Sequence, residues 1–285
     1  MAKNNSNKRI FTLNCKGRLI VIDRPLVMGI INITPDSFYA GSRLNDQDSI
    51  LKRFEQMLLE GADMIDIGGQ STRPGSERIT EKEELTRVMP AIEKMAKEFP
   101  EAIISIDTFY SKVASQSVAA GASLVNDISC GSIDPEMLAV VGTLNVPYVC
   151  MHAQGTLQTM QQKPTYENVT REVIDFFISK TDEATQAGIN DVIIDPGFGF
   201  GKSIRHNLEL LKNLSLFKIF ERPLLLGISR KSTIYKTLNT TADAALNGTT
   251  VLHTIGLMNG ADILRVHDVK EAKEAILLYE EYNKG

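Results

Sequence analysis

Residues 27–36 read Val-Met-Gly-Ile-Ile-Asn-Ile-Thr-Pro-Asp, and the last five of them decide between two architectures. The run up to Ile33 is mostly continuously apolar rather than alternating, as expected of a strand covered on both faces. A doubly wound sheet usually follows its first strand with a glycine fingerprint. Here Asn32-Ile33-Thr34-Pro35-Asp36 follows instead. Seven further runs of the same kind lie downstream: MIDIG (64–68), IISID (103–107), SLVNDI (123–128), PYVCMH (147–152), VIIDP (192–196), LLLGIS (224–229) and DILRVH (262–267). Parallel strands need crossover connections, and a helical pattern separates each run from the next. Eight such units predict an α/β chain folded as a (β/α)8 TIM barrel, with the doubly wound sheet as the alternative weighed against it.

The helical segments carry their own signals. Ile50, Phe54, Met57 and Leu58 share one face of a helix spanning about 46–60. Thr80 precedes Glu83 by three, the spacing of a capping box, and opens a helix to about Phe99. Gly61, Gly121, Gly188 and Gly260 each fall between a helix and the next strand, where a C-cap glycine belongs. A last helix is expected over about 269–283. Upstream of the first strand, IFTLN (10–14) and RLIVI (18–22) flank the turn-like Asn14-Cys15-Lys16-Gly17. This reads as an N-terminal β-hairpin capping the bottom of the barrel. Residues 1–9 are polar and read as a disordered tail, leaving 10–285 as one domain.

Composition narrows the function. With 285 residues, 43% of them hydrophobic, the chain can bury a full barrel core. A net charge of −4 with no basic stripe argues against a nucleic-acid partner, and the lack of Trp removes an aromatic platform for single strands. No apolar run approaches the ~20 residues that span a bilayer, so no membrane partner is expected. The polar opening lacks the apolar stretch of a signal peptide. Cys15, Cys130 and Cys150 are odd in number and lack C-x-x-C spacing, so they read as small buried thiols in a reducing cytoplasm rather than as a disulfide or a zinc site.

Polar residues gather at one end of the runs: Asn32, Asp66, Asp107, Asn126, Asp127, His152, Asp195, Ser229, Arg230, Arg265 and His267. In a barrel that end is the catalytic face. Gly68-Gly69-Gln70-Ser71-Thr72-Arg73-Pro74-Gly75 offers backbone N–H groups, hydroxyls and a guanidinium, suited to a phosphate or diphosphate. Arg265 and His267, two apart on a strand, point to the same side and form a second anion site. Asn32 is an oxygen donor for a hard cation, most naturally Mg2+ bridging a diphosphate. Asp107, Asn126 and Asp195 suit a ligand with several N–H donors, such as an aminopyrimidine edge. Taken alone, these residues reach an enzyme acting on a polar, phosphorylated small molecule.

The same stretches resemble dihydropteroate synthase. The matching motifs, in order, are GIINITPDSF (29–38), DIGGQSTRPG (66–75), SIDTF (105–109), NDISCG (126–131), MHAQG (151–155), IDPGFGFGK (194–202), GISRKS (227–232) and RVHDV (265–269). The resemblance runs from about Val27 to Lys270. It implies a transferase of folate biosynthesis and a sulfonamide target. Its reaction joins 6-hydroxymethyl-7,8-dihydropterin diphosphate to 4-aminobenzoate, giving 7,8-dihydropteroate and diphosphate. Carried over by motif, Asp107, Asn126, Asp195 and Lys231 hold the pterin, and Arg265 stacks on it. Asn32, Thr72, Arg265 and His267 bind the diphosphate, with Asn32 on Mg2+. Phe200, Lys231 and Ser232 line the 4-aminobenzoate slot. Thr34, Pro35, Asp36, Arg73 and Pro74 close over the reacting centre. The implied substitution is dissociative, with Asp36 beside the cationic methylene. The family's barrels are often dimers, so a homodimer is implied too.

Two departures stand out. Leu157 lies where the family commonly has proline, and Tyr39-Ala40 replaces a Ser-Asp-like run. Both touch loop geometry rather than reaction class. A corrinoid-dependent methyltransferase is the nearest rival, but it has no use for a diphosphate clamp. A silent binding module is the other, yet Asn32, Asp36, Arg73, Lys231 and Arg265 are all present.

Overall fold

The computed structural model describes residues 9–33, 43–71, 76–155 and 164–284, with backbone only for 43–47. Phe11–Cys15 (β1) and Arg18–Ile22 (β2) form an antiparallel hairpin. Eight parallel strands follow: Leu26–Asn32 (β3), Met64–Gly68 (β4), Ile104–Asp107 (β5), Leu124–Asp127 (β6), Tyr148–Met151 (β7), Val192–Asp195 (β8), Leu225–Leu226 (β9) and Ile263–Val266 (β10). Each neighbours the next in sequence, and β10 pairs with both β3 and β9. A single bridge, Ile194 to Leu224, closes the ring between β8 and β9. The expected (β/α)8 barrel is the observed fold. The run at 224–229 gives only two strand residues.

Helices cover the outside: Arg43–Leu59 (α1), Glu81–Glu98 (α2), Ser111–Ala120 (α3), Met137–Leu144 (α4), Val169–Gln186 (α5), Ile204–Lys212 (α6), Ser232–Thr237 (α7), Leu246–Met258 (α8) and Val269–Lys284 (α9), with a 3-10 turn at Leu214–Phe220. Thr80 caps α2 by accepting from the Glu83 N–H at 3.2 Å. The carboxylate of Glu83 turns instead to Arg87, one helical turn on, so only half of the expected capping box forms. Gly121 shows why a glycine ends α3. Its φ is +130°, and a Cβ there would lie 2.3 Å from the methyl of Ala96.

Two apolar layers result. One, between strands and helices, includes Ile67, Ile106, Val125, Ile194, Phe54 and Phe177. The other fills the barrel from below, where Met28, Met64, Ile103, Leu124, Val149, Ile193, Leu225 and Ile263 meet Leu13, Cys15 and Ile22 of the hairpin. The hairpin therefore plugs the bottom, as its sequence predicts. Of the expected tail, only Arg9 lies among the described residues, where it donates to the Lys218 carbonyl at 2.9 Å.

The cysteine reading needs correction. Cys130 and Cys150 form a disulfide, with Cα atoms 4.6 Å apart; Cys15 is the buried free thiol. Spacing along the chain gave no hint, because the link joins the loop after β6 to the neighbouring strand β7. Cys150 pairs in register with Asp127 at the end of β6, and the loop beyond turns Cys130 back onto it.

Candidate active site

Inward side chains along a strand recur every second residue. On β4, β5, β6, β8 and β10 the positions above the apolar plug are Asp66, Ser105 with Asp107, Asn126, Asp195 and Arg265. The carboxylates and Asn126 are nearly or wholly buried, at 0% for Asp66, 6% for Asp107 and 4% for both Asn126 and Asp195.

Arg265 crosses the barrel and ties this layer together. Its Nε and Nη2 each lie 2.6 Å from Asp66 Oδ2, and Nη2 also donates to Asp107 Oδ2 at 2.7 Å. Asp66 accepts twice more, from Asn126 Nδ2 at 2.8 Å and from Ser105 Oγ at 2.6 Å. Burial pushes the Asp107 carboxyl up to about 7, against the pull of Arg265. Burial also disfavours the Arg265 charge, but Asp66 and Asp107 more than offset it and hold the guanidinium above its ordinary value.

A second cluster sits at the β8 and β9 ends. Asp195 accepts from the Gly197 N–H at 2.8 Å, and burial raises its carboxyl despite Lys231 nearby. Lys231, just before α7, donates to the Phe198 carbonyl at 2.6 Å and stands 4.6 Å from the centre of the Phe200 ring. Desolvation brings its ammonium down to about 8. Ser232, the first residue of α7, is half-buried beside it.

His267 is half-buried, and its Nδ1 lies 3.1 Å from Ser229 Oγ. That oxygen also accepts the His267 backbone N–H at 3.2 Å. Burial, then Arg265, lowers the imidazole to about 4, so His267 offers a neutral ring rather than a charge. Asn32 ends β3 with its side chain exposed at the mouth.

The structure therefore brings together Asp107, Asn126 and Arg265 in one network, and Asp195, Lys231 and Phe200 in another. Thr34, Pro35, Asp36, Thr72, Arg73 and Pro74 lie outside the described residues, as do Tyr39, Ala40 and Leu157. Some polar strand-end residues serve the scaffold instead. Arg230 makes a two-pronged pair with Asp268, 2.8 Å at each contact. Asp127 faces away from Asn126 and accepts from Tyr148 Oη and from the Ser129 and Gly131 backbone.

Sequence reading missed two buried groups. Lys202 donates to His152 Nδ1 at 2.8 Å and to the carbonyls of Gly197 and Phe200 at 3.0 Å each. Desolvation lowers His152 to about 3, so its imidazole is neutral and accepts. A lone Lys after glycines reads like any surface lysine. The loop can wrap the ammonium because Gly197 has φ +74°, and a Cβ there would sit 1.8 Å from the His152 carbonyl oxygen. The second missed group is Glu84 on α2, fully buried, accepting from Thr108 Oγ1 at 2.9 Å and lifted by burial to about 8. Asp66 was visible at a strand end but carried no role.

Acceptors set deep, with cations and a neutral imidazole around them, fit a heterocycle bearing N–H groups and an anionic arm. Residues 28–267 match the family of pterin-binding enzymes, and the chain belongs to that family. Within it, the chain groups with the dihydropteroate synthases, transferases of folate biosynthesis. It is 42% identical over 270 residues to the dihydropteroate synthase of Escherichia coli (strain K12), covering 94% of this chain and 95% of that one. A Yersinia pestis dihydropteroate synthase in a sulfonamide drug complex superposes with a TM-score of 0.91 at 41% identity, covering 96% of this chain and 100% of the other. A Xanthomonas albilineans dihydropteroate synthase with 4-aminobenzoic acid gives 0.90 at 37% identity, over 96% and 98%.

Proposed function

We propose that this chain performs the dihydropteroate synthase reaction with the following division of labour, residues 10–285 acting as one domain. Asp107, Asn126 and Asp195 accept the N–H groups of the pterin, Lys231 donates to a ring acceptor, and Arg265 lies against the ring. The network of Asp66, Asp107, Asn126 and Arg265 carries this reading, because it sets acceptors where an aminopyrimidine needs them. A pterin that engages Asp107 has to share it with Arg265.

Thr72, Arg265 and His267 would take the diphosphate. Asn32 fits a hard divalent cation as one oxygen donor at the mouth. Among the described residues no group of three His, Cys, Asp or Glu side chains is arranged for a metal, and Asn32 would hold the cation together with the diphosphate itself. Mg2+, when bound, supplies Lewis-acid stabilisation of the leaving diphosphate. Arg265 adds charge and His267 a hydrogen bond to the same oxygens. The methylene C–O bond breaks with its electron pair going to diphosphate. The amine of 4-aminobenzoate, seated by Phe200, Lys231 and Ser232, then forms the C–N bond and releases a proton. An aniline nitrogen is nucleophilic at neutral pH, so no strong base is required. Closure by Thr34, Pro35, Asp36, Arg73 and Pro74 would exclude water from the cationic methylene.

A homodimer is supported by the apolar face left outward on α8 and α9, where Val251, Met258, Leu277 and Leu278 are 50–74% exposed. Among the described residues no helix is long and apolar enough to cross a membrane. The cytoplasm is the proposed compartment, since a pterin diphosphate carries several negative charges and does not cross a bilayer unaided.

The test is diphosphate release from 6-hydroxymethyl-7,8-dihydropterin diphosphate and Mg2+, with and without 4-aminobenzoate. Release coupled to dihydropteroate formation is expected. Tight pterin binding without release would overturn the reading in favour of a binding module.

A further inference from the structure

Asp66 is assigned no contact of its own with the proposed ligand, yet four donors converge on its two oxygens. Oδ1 takes the Ser105 hydroxyl at 2.6 Å; Oδ2 takes Nε and Nη2 of Arg265 at 2.6 Å and Nδ2 of Asn126 at 2.8 Å. The residue is 0% exposed, and its partners come from three other strands, since Ser105 faces it in register on β5 while Asn126 and Arg265 stand on β6 and β10. A carboxylate only accepts, so the amide of Asn126 must turn its NH2 toward Asp66. That leaves the Asn126 carbonyl oxygen as the atom offered to a ligand. The same carboxylate holds the guanidinium whether or not Asp107 is engaged elsewhere.

We infer that Asp66 is a positioning residue that fixes which atom of Asn126 reads the pterin and keeps Arg265 in place while Asp107 changes partner. The inference rests on the pterin reading of the site. Its physical content is polarity rather than shape. Asparagine has the outline of aspartate but offers an NH2 of its own, so in Asp66→Asn the Asn126 amide loses its reason to face one way. An Asn126 turned over presents N–H to the N–H edge of the pterin, which repels it.

The experiment titrates 7,8-dihydropteroate into wild type, Asp66→Asn and the reciprocal swap Asp66→Asn/Asn126→Asp, with thermal unfolding run on each. Asp66→Asn should bind about tenfold or more weakly, the loss of a charge-assisted contact. Its kcat/KM for the pterin diphosphate should fall in parallel, with KM for 4-aminobenzoate unchanged. The swap restores one donor facing one acceptor and keeps an oxygen toward the ligand, so affinity should return to within about threefold of wild type. A residue serving only to fill space would give no loss in the isosteric variant and no recovery in the swap. Either result overturns the inference. If Asp66→Asn does not melt cooperatively, Ser105→Ala supplies the reading, with about threefold weaker binding expected; unchanged affinity there overturns it. Wild type failing to bind dihydropteroate would sink the pterin reading itself.

Discussion

At the bottom of the barrel, the inward residues of five strands are Met64, Ile103, Leu124, Ile193 and Ile263, packed on the hairpin. One pleat higher on the same strands, roughly 6.6 Å on, they are Asp66, Ser105, Asn126, Asp195 and Arg265, and all but the half-buried Arg265 are almost as buried. The lower layer gains free energy from leaving water. The upper layer loses hydration and regains it only through partners placed to fractions of an ångström. Similar burial thus serves opposite ends, and substitutions at the two levels should separate stability from turnover.

The largest effect is expected at the top. Arg265→Ala leaves Asp66 and Asp107 buried without their cation and removes the charge proposed for the leaving diphosphate. Its kcat/KM should drop by about a thousandfold or more. Near-normal kinetics would remove Arg265 from the site and break the contrast. At the bottom, Leu13→Ala opens a cavity under the plug and should lower unfolding free energy by about 2–5 kcal/mol. At 20 °C, well below melting, turnover should stay within about twofold. A loss of turnover rivalling that of Arg265→Ala would show the two layers to be coupled. The smallest effect sharpens the comparison beside the second loop, at Glu84. Its folded carboxyl sits at about 8, above the ordinary 4.5, so the native state keeps a proton that the unfolded chain gives up. That contribution is complete below pH 4.5 and is lost as pH rises through 8. Glu84→Gln carries no such dependence. It should match wild type near pH 4.5 and melt roughly 3 °C or more higher at pH 8. A melting difference that stays flat with pH would contradict the buried, protonated carboxyl.

The barrel was legible because its strands are continuous apolar runs and its helices begin and end on local signals such as Thr80 and Gly121. The site was legible for a related reason: polar residues that end apolar strands have no packing role to explain them. What stayed hidden depends on distance across the barrel. Asp66 is one acidic residue among several until Arg265, 199 positions away, folds onto it. Lys202 shows nothing of its burial, since its partners are mostly backbone carbonyls. Cys130 and Cys150 carry no spacing motif because strand pairing, not sequence distance, brings them together. Arg230 misleads in the other direction, a strand-end cation spent on Asp268.

The hairpin under β3–β10 has a consequence for traffic. A barrel stoppered at one end has a single door, so both reactants enter and both products leave across the strand ends that carry the loops. Asp107, Asn126 and Asp195 lie at the floor of that passage, while Ser232 and Asn32 stand nearer its threshold. Whatever occupies the floor must arrive first, and whatever stands at the threshold bars its retreat. Initial-rate patterns should accordingly show ordered addition, pterin before arylamine, with the arylamine acting as a latch on a guest already inside.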